Sequence, residues 1–418
     1  MVLGKGSLTE LLTNEEVEHI LQQTCDGLAI EGKRILVIIP DGTRTSPIPL
    51  MFRLLHKHLG QQARQLDYLI ALGTHQPMSA EAISHLVGTP VSEDGQAENY
   101  PGVRIFNHHW SDPQILQTIG VIKRAEALEL TDGLLADEIP VTLNRLIFDY
   151  DQLLICGPVF PHEVAGFSGG AKYLFPGIAG AEIINFTHWL GALVTSMQTI
   201  GVKETPVRRV IQRAAEFVTL PITLLAMVLQ GQDLHGLYCG PQLETWHEAA
   251  DLSSQLNIVH LAKPVHSVLA MPPTMYDDLW TAAKAMYKTE PVIADGGEVI
   301  IFAPHLSEIS YTHGVLIDQI GYHVRDYFTK QWERFQDIPG GVLAHSTHVK
   351  GAGTYDATSG REEPRIQVTL ATAIPEKRCR QVNLGYRDYR TIDPENWQGR
   401  ENEGHLFVPH AGEVLYRL

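Results

Sequence analysis

The stretch His162-Glu-Val-Ala-Gly-Phe-Ser-Gly-Gly-Ala-Lys172 concentrates residue types that can do chemistry. Gly166, Gly169 and Gly170 around Ser168 allow a backbone to approach a ligand closely and to point N–H groups at an anion. Lys172 offers a positive charge or a nucleophilic amine. The pattern is not a P-loop, which needs Gly immediately before the lysine and Ser or Thr after it. Ala171 and Tyr173 occupy those places, so magnesium–nucleotide chemistry loses its hydroxyl ligand. A glycine-rich turn that only closes a helix against a sheet would leave His162 and Lys172 without a purpose.

Histidines form the second signal. His75 stands in GTHQP, His162 opens the glycine-rich block and His188 lies in NFTHWL. Imidazole suits both proton transfer near neutral pH and metal ligation. His108 and His109 are adjacent, and His345-Ser-Thr-His348 has the spacing of a possible metal pair, although no third ligand lies nearby in sequence. Arg44, three residues after Asp41 in DGTR, could hold a carboxylate through two parallel hydrogen bonds, or could merely staple its loop to Asp41. Lys284, on a helix predicted over 277–288, could likewise hold an anion or be an ordinary solvated helix lysine.

These residues need elements to hold them. RILVIIP (34–40), LDYLIALG (66–73), VRIFN (103–107) and DQLLICG (151–157) read as buried strands. Each runs into a loop bearing candidate residues, and helical patterns follow at PLMFRLLHKHLG and SAEAISHLVG. HSVLAMPP (266–273), GGEVIIFAP (296–304) and RIQVTLATA (365–373) are further strands, and 315–335 has the periodicity of one long amphipathic helix. Strands alternating with helices give an α/β fold whose sheets are mostly parallel or mixed and flanked by helices. At 418 residues two domains are expected: 1–262, binding the cofactor and carrying catalysis, and 263–418, an α/β domain completing the substrate site, with the cofactor site in the cleft between them. Ligands of such sheets bind beyond the carboxyl ends of the strands, where the unusual loops sit.

Composition narrows the partners. Hydrophobic residues make up 44% and charged residues 19%, as in ordinary globular enzymes, and the formal net charge of −16 argues against a nucleic-acid surface. Cys25, Cys156, Cys239 and Cys379 are too scattered for a disulfide framework or a thiolate zinc site, so reduced, buried thiols are expected. No signal-peptide pattern and no run of 18 apolar residues is visible, so a cytoplasmic location without a membrane partner is expected.

DGTR (41–44), GTHQP (73–77), NHHW (107–110), PHEVAGFSGGAK (161–172), PGIAG (176–180) and the histidine of NFTHW together resemble the nickel-pincer lactate racemase family of 2-hydroxyacid racemases and epimerases, over about residues 36–290. The resemblance implies an isomerase that inverts C2 of a small 2-hydroxy acid through hydride abstraction and a 2-keto acid intermediate. It implies a nickel-pincer nucleotide, a pyridinium-3,5-bisthiocarboxylic acid mononucleotide carrying nickel, bound covalently to Lys172 and installed by cofactor-synthesis enzymes. His188 would ligate the nickel, and Ser168, Gly169 and Gly170 would cradle the phosphate. His75 and His162 would be the acid–base pair, with Arg44 and Lys284 on the substrate carboxylate and Asp41 in support. Two histidines make chemical sense, because each can serve one enantiomer as base and the other as acid.

Two residues depart from the family's Tyr-Gln before the substrate lysine: here Trp280-Thr281 border Lys284. These substrate-binding positions put lactate itself in doubt and leave room for a longer chain, a second carboxylate or a polyol. The rival readings are a nicotinamide-dependent 2-hydroxyacid dehydrogenase, which lacks its GxGxxG where DGTRTS stands, and a nickel-nucleotide carrier or sensor without turnover.

Overall fold

A computed structural model describes residues Met1–Leu418. Its contacts divide the chain into two compact units. The first comprises Met1–Phe160, Phe167–Ile184 and Arg208–Leu256; the second comprises Pro161–Gly166, Asn185–Val207 and Asn257–Leu418. The sequence expectation assigned 1–262 wholly to one domain. The observed units differ from it in exchanging two internal segments, one of which carries His162 and the other His188. A chain that leaves and re-enters a unit has no composition signature, which is why reading along the sequence misses it.

The first unit is built on a seven-stranded mixed sheet. Its strands are β1 (Leu3–Gly6), β2 (Arg34–Ile39), β3 (Gln65–Ile70), β4 (Ile105–Asn107), β5 (Gln152–Pro158), β6 (Ile222–Gln230) and β7 (Asp233–Pro241), in the spatial order β1-β7-β6-β5-β2-β3-β4. The five strands from β6 to β4 are parallel, and β7 and β1 close one edge antiparallel. Ile35 to Ile39 in β2 are each at most 1% exposed, so both faces of the strand are covered. That is the signature of a parallel sheet sandwiched between layers, and it explains an unbroken apolar run in place of alternation. Helix Ile48–Leu59 packs Met51, Phe52 and Leu55 into this core, and Gly60 ends it.

The strand order fixes where a ligand would bind. From β2 the chain winds to β3 and β4 on one side, then returns to β5 and β6 on the other. The switch point therefore lies between β2 and β5, and the crevice beyond their carboxyl ends is the usual binding place in such sheets. The loops that follow these two strands are DGTR and, after an excursion, SGGAK.

The second unit holds an all-parallel five-stranded sheet of β8 (Val265–Ala270), β9 (Ile293–Ala303), β10 (Gln367–Thr372), β11 (Gly385–Tyr386) and β12 (His405–Val408), ordered β11-β10-β9-β8-β12. The helix expected over 277–288 is instead two short turns, Leu279–Ala282 and Lys284–Tyr287. The long helix expected over 315–335 is broken into Gly314–Ile320, Arg325–Thr329 and Trp332–Phe335. Gly321 at φ 73° and ψ −176° ends the first piece, and the chain then runs extended, with His323 N–H on Ser346 Oγ at 3.0 Å. Tertiary hydrogen bonds at one glycine override an otherwise continuous helical period.

Candidate active site

In the first unit, two loops at the carboxyl ends of adjacent strands meet through a carboxylate. Asp41 follows β2 and His75 follows β3; Asp41 Oδ2 lies 2.5 Å from His75 Nδ1. The other oxygen, Oδ1, accepts from Thr43 N at 3.1 Å and Thr43 Oγ1 at 2.7 Å. Burial alone would raise the Asp41 carboxyl, but the charge and hydrogen bond of His75, the Arg44 guanidinium and the Thr43 hydroxyl together hold it well below the usual carboxylate range. Asp41 is therefore an ionised acceptor, and Arg44 reaches back to Thr43 O (3.0 Å) and Oγ1 (2.9 Å). The Asp–Arg stapling considered from sequence is real but indirect: Thr43 stands between the two.

The NHHW motif turns out to be a set of clamps. The Asn107 amide accepts from Met78 N–H at 3.0 Å and donates to Met78 O at 2.9 Å, fixing the end of the GTHQP loop. His108 is 1% exposed, and its Nε2 lies 2.9 Å from Ala179 O while Asn144 Nδ2 reaches its Nδ1 at 3.2 Å. Burial lowers its pKa to about 4, so it is a neutral strut under PGIAG. Gly73 N–H donates to Gly177 O at 2.9 Å and so ties the loop of His75 to the loop after Lys172.

The SGGAK loop is held from beneath. Ser168 Oγ accepts from Phe160 N–H at 2.9 Å and lies 3.3 Å from Pro158 O, to which its hydrogen points. These bonds make Ser168 a brace of the strand end rather than a side chain turned toward a phosphate, which was its expected use. Trp246 Nε1 donates to Ser168 O at 2.8 Å. Gly169 and Gly170 have φ of 78° and 60°, and a Cβ on Gly170 would sit 2.8 Å from Gln242 Nε2 and 3.0 Å from Trp246 Cδ1. Arg208, 1% exposed, donates to Phe167 O and to Gly169 O (3.4 Å), with its guanidinium 4.2 Å over the Trp246 ring. Arg208 and Trp246 are supports that the sequence reading missed; Arg208 lies 39 and 41 residues from the carbonyls it holds and Trp246 lies 78 from its own, and no local motif marks them. Along Gln152–Gly180 only Glu163 and Lys172 are even partly exposed. Lys172 thus presents its amine from an otherwise buried turn.

In the second unit, His162 is 7% exposed. Its Nδ1 accepts from Val164 N–H at 3.1 Å and Ala165 N–H at 3.3 Å, and Glu163 Oε2 lies 3.5 Å from the same nitrogen. Helix Ala181–Val194 carries the partly exposed His188, and Gly191 on that helix leaves room for Val164, whose Cγ1 would be 2.9 Å from a Cβ there. Lys284 is 9% exposed with its amine 4.2 Å from the Tyr276 ring centroid. Trp280 stacks on His345 at 4.0 Å and lies 4.5 Å from the His313 ring. Thr281 does not turn outward: its N–H and hydroxyl each donate to Asp278 Oδ1 at 3.0 Å, capping the short helix.

The His345/His348 pair is buried. Burial holds His345 well below the usual imidazole range, and lowers His348 to about 4. His345 Nε2 faces the Tyr322 hydroxyl at 3.3 Å. No group of three or more His, Cys, Asp or Glu side chains is arranged to hold a metal ion. A metal bound through a lone histidine would need its other donors from an organic group. All four cysteines are free and buried, and burial pushes Cys25 and Cys239 up to about 12. No helix is long and apolar enough to cross a membrane.

Residues 8–201 match the model of the lactate racemase N-terminal domain. The match takes in 194 of the 418 residues, just under half of the chain. Lactate racemase of Thermoanaerobacterium thermosaccharolyticum is 25% identical over 281 residues, and that of Lactiplantibacillus plantarum 24% over 304. The matches take in 65% and 70% of this chain but only 60% and 66% of those racemases. A solved structure of a Thermotoga maritima protein is similar over 99% of both chains, with 32% identity and a TM-score of 0.90. The lactate racemase apoprotein of T. thermosaccharolyticum shares the fold, with a TM-score of 0.71 and 18% identity over 100% of this chain and 94% of that one.

Proposed function

We propose that this protein is a member of the lactate racemase family, an isomerase that inverts C2 of a small 2-hydroxy acid, using a nickel-pincer nucleotide attached to Lys172. The observation that carries the reading is the Asp41–His75 pair, with Arg44 one residue beyond Thr43, in a loop beside the switch point that Lys172 also flanks. The donor set fits the cofactor: an amine emerging from a buried glycine turn, a partly exposed His188, and no protein cluster able to bind nickel alone. When bound, the cofactor supplies an acceptor for the C2 hydrogen as hydride.

The chain's own residues do the rest. His75 and His162 serve the hydroxyl proton, and removing that proton as hydride leaves turns the alcohol into a planar 2-keto acid. Arg44 and Lys284 hold the carboxylate while the keto acid presents its other face. Gly169 and Gly170 give the cofactor a close backbone, with Arg208 adding buried positive charge beneath it. Cytoplasmic cofactor-synthesis enzymes are the partners that load Lys172.

Co-expression with cofactor-making enzymes followed by intact-mass analysis tests the attachment. A covalent adduct is expected on the wild-type chain and absent from Lys172→Ala; an unmodified wild-type chain that is fully active defeats it. Incubation of the loaded protein with lactate, malate, 2-hydroxyglutarate, phenyllactate and gluconate, read by chiral chromatography, tests the reaction. Inversion of one of them is expected, and an adduct without any inversion makes the protein a carrier.

A further inference from the structure

The second unit contains a polar cavity of about 150 Å³, and none of the residues assigned to the reaction lines it. Its wall includes Thr195 and Met197 beyond helix Ala181–Val194, then Glu290 and Arg325, and finally His348 and Gly351 at the end of helix Gly340–Lys350. Glu290 is fully buried. Its Oε1 accepts from Ala352 N–H at 2.7 Å and lies 3.8 Å from Arg365 Nη2, whereas Oε2 finds no hydrogen-bond partner. His348, 5% exposed, leaves its Nε2 in the same condition. Folded proteins pair nearly all such atoms, so a polar cavity walled by two that are unpaired is a place for a ligand's polar groups. Two backbone features keep the wall in shape. Thr195 holds φ 85° and ψ 144°, which strains a β-branched residue and persists only where the surroundings dictate it. Gly351, at φ 84°, lets the Ala352 amide reach Glu290, since a Cβ there would lie 2.6 Å from Oε1. Arg325 supplies the opposite polarity. Its Nη1 donates to Leu193 O at 3.0 Å and its Nη2 to Asp326 Oδ1 at 3.2 Å, which leaves further guanidinium N–H groups to spare. Arg325 is part exposed and Glu290 is not, so the guanidinium stands at the open end and the carboxylate at the closed one.

We propose that this cavity binds a short 2-hydroxy or 2-amino acid, its carboxylate held by Arg325 and its hydroxyl or ammonium donating to Glu290 Oε2. The size agrees. A cavity of this volume takes a molecule about as large as benzene, of about six non-hydrogen atoms, which describes glycolate, lactate, glycine or alanine. The polarity agrees too. A guanidinium pairs a carboxylate through parallel N–H bonds, and a donor on Oε2 removes the cost of a buried carboxylate oxygen left unpaired. Burial raises the Glu290 carboxyl despite the Ala352 amide and Arg365, which marks a group short of donors. An acid bound here braces the ends of helices Ala181–Val194 and Gly340–Lys350, which carry His188 and His345. It is therefore an effector site and not a second place of reaction.

Calorimetric titration of the full chain without cofactor tests the site. Glycolate, lactate, glycine and alanine are the probes; acetate and ethylene glycol, each lacking one of the required groups, are the controls. Saturable binding of at least one probe is expected at a Kd of about 1 mM or tighter, ~10–10²-fold better than either control. A preference for lactate over alanine, or the reverse, supports the site and tells a hydroxyl from an ammonium. Arg325→Gln, at a part-exposed position, should weaken binding ~10–10²-fold, and Glu290→Gln, which puts a donor where Oε2 accepts, should do the same. Melting temperatures check that both variants fold; if Glu290→Gln does not, Arg325→Gln decides. No saturable binding by any probe, leaving the cavity to water, overturns the proposal. So does binding that survives Arg325→Gln but is lost in Arg44→Met, because the acid then sits among the residues of the reaction. Inversion by the loaded enzyme enters neither outcome, so this site and the racemase reading stand or fall separately.

Discussion

Replacing Asp41 with asparagine keeps the shape of the site and removes one charge, which makes it a sharp perturbation. Oδ1 of the new side chain can still accept from Thr43 N and Oγ1, at 3.1 and 2.7 Å in the native protein. The amide NH₂ then meets His75 Nδ1, where a carboxylate oxygen stood at 2.5 Å. Two donors cannot share that line, so either the contact opens or His75 moves its hydrogen to Nε2 and loses its free lone pair. A charge-assisted hydrogen bond is lost, about 1.5–3 kcal/mol of stability at neutral pH. The rate falls ~10³–10⁴-fold, because the wrong tautomer cannot take a proton. The pH dependence has a definite sign. The folded-state pKa of Asp41 is lowered, so its stabilisation is present above the unfolded value near 3.8 and drains away as pH falls toward the folded one. Urea unfolding of both apoproteins from pH 7 down to pH 3 measures it: the gap between wild type and Asp41→Asn should persist from neutral pH down to about 4 and narrow below that. A gap that fails to narrow below about pH 4, or that grows there, would refute the assignment of Asp41 as the ionised partner.

Two further outcomes follow from the supports of the Lys172 loop. Gly170→Ala places a Cβ 2.8 Å from Gln242 Nε2 at φ 60°, and should cost about 1–3 kcal/mol and reduce the yield of the Lys172 adduct, whereas Gly73→Ala, at φ 56° with nothing within 4 Å, pays only the backbone strain of about 1 kcal/mol. Comparing melting temperatures and adduct mass for the two separates crowding from strain, and equal effects would contradict the packing argument. Arg208→Met keeps most of the length but strands two buried carbonyls, Phe167 O and Gly169 O, so chemical denaturation should show a loss of about 2–5 kcal/mol; a change below about 0.5 kcal/mol would mean that the guanidinium does not hold the loop.

The parallel strands were legible because burial on both faces leaves a run such as Ile35 to Ile39 with nothing but branched apolar residues, and their termini place Asp41 and His75 without further information. Asn107 and His108 were visible as a motif but not as clamps, since their partners Met78, Asn144 and Ala179 are 29, 36 and 71 residues away. Arg208 and Trp246 left no trace for the same reason. The break at Gly321 was hidden by a helical period that runs straight through it; what decides there is the Ser346 hydroxyl and the Glu362 carboxylate, which take the His323 and Val324 amides at 3.0 and 2.6 Å. Local pattern reports what a segment prefers, and these positions answer to distant partners.

The same distinction bears on which substrate the protein takes. Trp280 and Thr281 were paired in sequence as the residues that set lactate in doubt, but they do different things. Thr281 gives both its donors to Asp278, so the change from a long amide to a short hydroxyl there is accounted for by helix capping and argues little about the substrate. Trp280 keeps its ring in a stack, 4.0 Å from His345 and 4.5 Å from His313, and the buried neutral His345 is in turn fixed by the Tyr322 hydroxyl. Moving the ring aside to admit a bulkier group would forfeit two aromatic contacts of about 0.5–1.5 kcal/mol each. Under the proposed function, selectivity among 2-hydroxy acids would rest on this indole and the histidines beside it, whereas the threonine belongs to the scaffold.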